Sequence, residues 1–194
     1  MEYQTFFTRQ FEISLPDTYI GGDPVKDRRD IKREIKELPL SEQPLFKHFF
    51  KTAFFSFMAA DTHLLDGQMK PTTCTINMMK APARYANLSA EELKQSMVSQ
   101  MKSSPDVLEA DTIKLIGLDA VRIFTFHYKQ RGILGLNTGG RSHREDNEPP
   151  VEKSATFMFV HAGNFVSMIF TTEPQFFNDQ LPLFEASAAS LKIH

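Results

Sequence analysis

The spacing of apolar positions along this chain changes several times, and each change marks a new element. In FEISLP, Phe11, Ile13 and Leu15 point one way and Glu12 and Ser14 the other. The alternation predicts a first strand with one buried face, stopped by Pro16. Gly21 and Gly22 read as a turn. Ile31, Ile35 and Leu38 then recur at helical spacing among charges, which predicts a short surface helix ending before Pro39. LFKHFFKTAFFSFMAAD (45–61) divides into a short helical or irregular piece and a strand over 53–60, and HLLDGQMKP turns the chain into a second strand over 72–81. Both faces of the strand over 53–60 are mostly apolar, so both are expected to be covered.

The segment NLSAEELKQSMVSQMKSS carries the clearest local signal. Ser89 is the expected N-cap, and Glu92, three positions on, completes a capping box. Leu88 and Leu93 stand where a hydrophobic staple closes the helix entry. Leu93, Met97 and Met101 form a narrow apolar stripe, and Pro105 follows the helix end. Four strands are predicted next, over 110–117, 119–128, 153–161 and 164–172. Two pairs of them are joined by very short links, at Gly117 and at Ala162-Gly163, which make antiparallel hairpins. Within them Val121 and Ile123 face opposite Phe124 and Phe126, and Phe165 and Ile169 face opposite Val166, Met168 and Phe170.

An antiparallel sheet with two apolar faces needs cover on both. The tail supplies part of it. Phe177, Leu181, Phe184, Ala188 and Leu191 follow at spacings of 4, 3, 4 and 3, a stripe one helix face wide. The helix is expected to start at Thr172 or Glu173, before Pro174, and Pro182 to kink or restart it.

Composition narrows the function classes. At 194 residues the chain is most simply one domain over 1–194. Such a chain can bury about 70% of its unfolded surface and needs no metal or disulfide to hold it. The net charge is −2, so no global field attracts nucleic acid or an anionic membrane. The apolar runs fall far short of the ~20 residues of a membrane span. MEYQTFFTRQFEISLP has no basic segment ahead of a cleavage site, and Cys74 has no cysteine to pair with, so the expected location is the cytoplasm. With 18 Phe, 9 Met and no Trp, the core is built from rings without polar handles and from flexible thioethers.

The order of elements, with the stretches FEISLPDTY, LIGLDAVRIFTF and FVSMIFTTEPQFFNDQLPLFEASAASLKI, resembles the superfamily of the photosystem II extrinsic protein PsbP and the Ran-binding protein Mog. The likeness runs from Phe11 to Ile193. It implies an α+β fold, an antiparallel sheet of about six strands sandwiched between helices, with insertions at about 21–52 and 130–152. It also implies proteins that bind other proteins: photosystem subunits, nuclear-transport regulators, and chaperones that shelter hydrophobic segments of secretion effectors. The segment KDRRDIKREIKELPLSEQPLFKHFF has no counterpart in that pattern.

Candidate chemistry is sparse. His48, His63, His127, His143, His161 and His194 share no metal-ligand spacing, and no cofactor is expected. His127 and His161 both end predicted strands, where they could be neighbours. Ser154 and Ser167 have no base in view and no GxSxG elbow, so no catalytic motif is visible. GLNTGG lacks the GK[ST] ending and the following helix of a phosphate loop. It lies in KQRGILGLNTGGRSHREDNEPPVEK (129–153), which holds four of the nine glycines, a length that usually signals function or disorder. Arg131, Asn137, Arg141, His143 and Arg144 are the candidate partner-binding residues there, although Glu145, Asp146 and Glu148 offset their charge. Met78, Met97, Met101 and Phe124 are expected to line an apolar groove between sheet and helix. The reading is a non-catalytic module for a protein or hydrophobic peptide, of open oligomeric state. The alternative is a small-molecule-binding protein or enzyme with an apolar pocket.

Overall fold

The computed structural model describes residues 2–51, 55–101, 107–128 and 149–194. Seven strands form one wholly antiparallel sheet, ordered β3 (Tyr19–Gly22), β4 (Phe57–Asp61), β5 (Thr73–Lys80), β9 (Asn164–Thr172), β8 (Glu152–His161), β7 (Leu118–His127) and β6 (Val107–Leu115). A second sheet holds β1 (Tyr3–Phe7), β2 (Phe11–Pro16) and β10 (Lys192–Ile193). Four helices are described: α1 (Arg28–Glu37), α2 (Gln43–Phe49), α3 (Ala90–Met101) and α4 (Phe177–Ala189). The architecture is the expected α+β sandwich, with more strands than the expected six.

Two hairpins set the register of the sheet. Ile116-Gly117 and Ala162-Gly163 all take positive φ, from 48° to 79°. That pairs Leu115 with Leu118 and His161 with Asn164 in the two-residue turns whose twist suits antiparallel strands. Alternation then sends Ala155, Phe157 and Phe159 of β8, Val166, Met168 and Phe170 of β9, and Cys74, Ile76 and Met78 of β5 into one core.

That core is closed by α4 and by β2, whose Phe11, Ile13 and Leu15 are wholly buried. Phe184 of α4 stacks on Phe170 at 5.1 Å, and Phe177 meets Phe124 edge-on at 5.5 Å. The Arg122 guanidinium takes both carboxylate oxygens of Asp111 and also donates to Glu185 of α4, which ties the helix to the strands beneath it. At the rim the Lys153 ammonium stands 4.1 Å from the Phe177 ring centre, and burial pulls its pKa down. A 3-10 turn at Pro174–Phe176 starts the tail helix, and α4 continues through Pro182 instead of restarting there. Pro182 is exposed, so water can reach the carbonyl that its missing N–H leaves free.

The other face carries two separate covers. Leu93 and Met97 of α3, with Tyr85, lie on Val121, Ile123 and Met158. The capping box forms as expected, with the Ser89 N–H donating to Glu92 Oε2 at 2.8 Å and the Glu92 N–H to Ser89 Oγ at 3.3 Å. At the β3–β4 end, Ile31 and Ile35 of α1 and Phe46 of α2 lie on Ala60. Between these covers the sheet is largely polar, because β5 and β9 turn Thr73, Asn77, Ser167 and Thr171 to this side with Ile169 among them, each only partly buried. The expectation of two mostly apolar faces therefore holds under the two covers and fails between them.

Asp61 closes β4 beside Tyr19, its pairing partner. Burial raises the Asp61 carboxyl above the usual carboxylate range, although its Oδ1 accepts the His63 N–H at 2.9 Å. The folded state thus holds the Asp61 proton more tightly than the unfolded chain. The stability linked to it is present at low pH and is lost as pH rises from the unfolded value of about 3.9 through the folded pKa. Asp61→Asn, which keeps the accepting oxygen, is expected to raise the melting temperature near neutral pH and to change it little at about pH 3. Thermal melts at the two pH values check this; an equal shift at both would refute the linkage.

Candidate functional site

The α1–α2 flank is built from a stretch that pairs apolar spacing with dense charge. Ile31 and Ile35 turn to the sheet, and one helical step away Arg28 and Lys32 share a side. Pro39 ends the first helix and carries the turn, its carbonyl accepting the Glu42 and Gln43 N–H groups. The buried Gln43 then latches the two helices. Its Nε2 donates to the carbonyls of Lys36 and Leu38 at 3.3 and 3.0 Å, while its Oε1 accepts Lys47 Nζ at 3.0 Å.

An open cleft of about 190 Å3 lies between α1 and α2. Its floor is Pro24, Ile31, Ile35 and Phe50, and its rim is Arg28, Lys32, Lys47 and Lys51. None of these four cations has an ion pair among the described residues. Among the described residues no carboxylate lines the cleft. Asp30 pairs with Arg33 on another side of α1, and burial raises the Glu34 carboxyl. Arg28 and Lys32 are like charges at i, i+4 within α1, a spacing at which repulsion weakens a helix, while Lys51 lies two residues past the end of α2. A second hollow, of about 410 Å3, is bounded by Thr8, Arg9, Gln10 and Phe55 with Asp23 and Lys26. Its polar groups already serve one another: Asp23 pairs with Lys26 at 2.9 Å and accepts the Val25 N–H at 3.0 Å.

The residues singled out from sequence fall elsewhere. Arg131, Asn137, Arg141, His143 and Arg144 lie outside the described residues. Met78 and Phe124 are buried in the α4-side core, and Met97 is buried under α3 on the opposite face. Met101 ends α3, and its side chain lies outside the described residues. The sheet stands between Met97 and the pair Met78–Phe124, so these three do not share one groove. The reason is the alternation of strand side chains: Phe124 is one step out of phase with Val121 and Ile123, on which α3 rests. His127 and His161 are also apart. His127 pairs with Glu152 at one end of β8, and His161 is the other end of that strand.

One polar contact escaped the sequence reading. His127 Nε2 stands 2.9 Å from Ser154 Oγ, which in turn lies 2.7 Å from Thr171 Oγ1. The long link between β7 and β8 hides their register in the sequence, so nothing there placed a base beside Ser154. The pair lacks the other parts of a nucleophilic site. Ser154 is buried, with its hydroxyl already bonded to Thr171, and among the described residues no carboxylate orients His127. Cys74 is likewise buried, and burial pushes its thiol pKa up, which makes it inert. Among the described residues no group of three or more His, Cys, Asp or Glu could hold a metal ion, and no helix is long and apolar enough to cross a membrane.

A seven-stranded antiparallel sheet with α4 and β2 on one face, and α3 and the α1–α2 pair on the other, defines a PsbP/Mog1-like sandwich. Comparison with solved structures shows the same fold. The solution structure of cyanobacterial PsbP (CyanoP) from Synechocystis sp. PCC 6803 matches with a TM-score of 0.55 at 11% identity, over 99% of this chain and 92% of that one. The Saccharomyces cerevisiae Ran-binding protein Mog1p matches with 0.51 at 7% identity, over 100% and 96%. LpqN, involved in cell envelope biogenesis of Mycobacterium tuberculosis, matches with 0.50 at 10% identity, over 99% and 90%. No protein-family profile and no curated protein matches the sequence.

Proposed function

We propose that this chain is a non-catalytic binding module for another protein, and that it works in the cytoplasm. The observation that carries the reading is the α1–α2 cleft, an open concavity with an apolar floor and four cations that have no ion pair among the described residues. The same fold in Mog1p belongs to a Ran-binding protein, which supports a protein partner as the class. The competing reading, a pocket for a small apolar molecule, asks for an enclosed cavity of about 300–1,000 Å3 with a few convergent polar groups. The cleft falls below that range and is open, and the larger hollow, though within it in volume, is open too and lined chiefly by polar and charged residues.

Native mass spectrometry on protein isolated from its own host tests the proposal. The expected result is a co-isolated protein that survives gentle ionisation. A retained small apolar mass, with no protein attached, would overturn it in favour of the pocket.

A further inference from the structure

We infer that the α1–α2 cleft receives an acidic amphipathic helix of a partner protein, with apolar side chains on the Ile31–Ile35–Phe50 floor and carboxylates against Arg28, Lys32, Lys47 and Lys51. The inference rests on the protein-binding reading above and adds the chemistry of the partner.

Charge is the first ground. The whole chain is slightly acidic at −2, yet among the described residues this concavity is lined by four cations and no carboxylate. The carboxylates of α1 cannot neutralise the rim by rotating over it, because Asp30, Glu34 and Glu37 lie about half a turn around the helix from Arg28 and Lys32. Arg28 and Lys32 form a like-charge i, i+4 pair within α1, and a bound carboxylate would relieve their repulsion.

Size and shape are the second ground. A cleft of about 190 Å3 accepts one or two apolar side chains and is too small for a drug-sized ligand. The floor is apolar and the charges stand on the rim, the two-part surface that an amphipathic segment presents in reverse. An apolar floor under a cationic rim fits an amphipathic acidic segment better than a compact anion, and a helix laid in a groove is a recurrent way to read such a surface. The Gln43 latch holds the groove open in advance, which lowers the ordering cost of binding. A flat anionic membrane suits the site less well, because Ile31 and Ile35 are already buried and are reached only through the cleft.

The test uses the full chain and a labelled synthetic helix of about 18 residues, long enough to span the groove, with Leu at i, i+3, i+4 and i+7 and Glu elsewhere. Two control peptides replace the Glu residues by Lys, or the Leu residues by Ser. Fluorescence anisotropy at low salt is expected to show the Leu/Glu peptide binding at least about tenfold more tightly than either control. The double variant Arg28→Glu, Lys32→Glu is expected to lose about tenfold in affinity and to prefer the Lys peptide. Acidic residues are well placed in the first turns of a helix, so this variant should keep its fold, which a melt verifies. Lys47→Gln with Lys51→Gln, on α2 and just past its end, is expected to give a smaller loss in the same direction.

Equal binding of wild type and both variants would overturn the inference. So would retention of wild type, but not of the variants, on phosphatidylserine vesicles when the Leu/Glu peptide is not bound. A native complex that survives Arg28→Glu, Lys32→Glu would leave the protein-binding reading standing and refute this one.

Discussion

Cutting the chain after Thr172 is expected to abolish cooperative folding and leave an aggregating product. The missing tail closes the larger core. It supplies Phe177, Phe184, Ala188 and Leu191, all buried, with Leu181 packed beside them. At about 25 cal/mol per Å2 of apolar area, five such side chains contribute several kcal/mol, against a typical net stability of about 5–15 kcal/mol.

The loss goes beyond area. The Glu173 carboxylate accepts the Met69 and Lys70 N–H groups at 2.6 and 2.7 Å and so pins the β4–β5 connection. Ser190 Oγ accepts the Ser14 N–H at 2.8 Å, and β10 pairs with β2. Removing the tail strands those donors and exposes Phe170 and Phe157 together. Soluble yield and a thermal melt of the truncated chain measure the effect. A soluble product with a sharp transition would show that the sheet does not need this cover.

The second large effect is expected from Phe184→Ala alone, at about 3–5 kcal/mol. Phe184 is 1% exposed, stacked on Phe170 with its ring tilted by only 16°, and edge-on to Phe177 at 6.1 Å. Its removal leaves a cavity between helix and sheet that two flat rings cannot collapse to fill. Phe7→Ala is the control, because Phe7 is 68% exposed and its loss should fall within about 0.5 kcal/mol. Denaturant midpoints for the two variants give the comparison, and a Phe184→Ala cost no larger than the control would contradict the packing account.

Much of this architecture was legible in the sequence because the signals were local. The two-residue links at Gly117 and Ala162-Gly163, the Ser89–Glu92 box and the α4 stripe each lie within a few residues, and each formed. What escaped depends on partners distant in the chain. Gly21-Gly22 looked like a turn and is strand β3. A Cβ on Gly21 would fall 2.3 Å from the Met58 carbonyl, so the glycine is there for close approach. Strand β1 carries only a mixed pattern and exists through its pairing with β2. The polar middle of the second sheet face was overlooked because Cys74, Ile76 and Met78 dominate the look of β5, while Thr73 and Asn77 point to the other side.

The candidate site was less legible, for a related reason. The charges of α1 read as a solvated face because acids and bases alternate along the chain. Only the packing of α2 beside α1 brings Lys47 and Lys51 to the rim with Arg28 and Lys32. The expected apolar groove shows the reverse error: Met78, Met97 and Phe124 have the right chemistry, but the pleat turns Met78 and Phe124 to the face opposite the one that Met97 of α3 covers.

Hydrogen–deuterium exchange on the complex isolated from the host, compared with the free chain, tests the central claim most directly. The account predicts slowed exchange in α1, α2 and the turn between them, with α4 and the hairpins unchanged. Unchanged exchange in α1 and α2, with new protection over α3 or along β6, would place the partner elsewhere and contradict it.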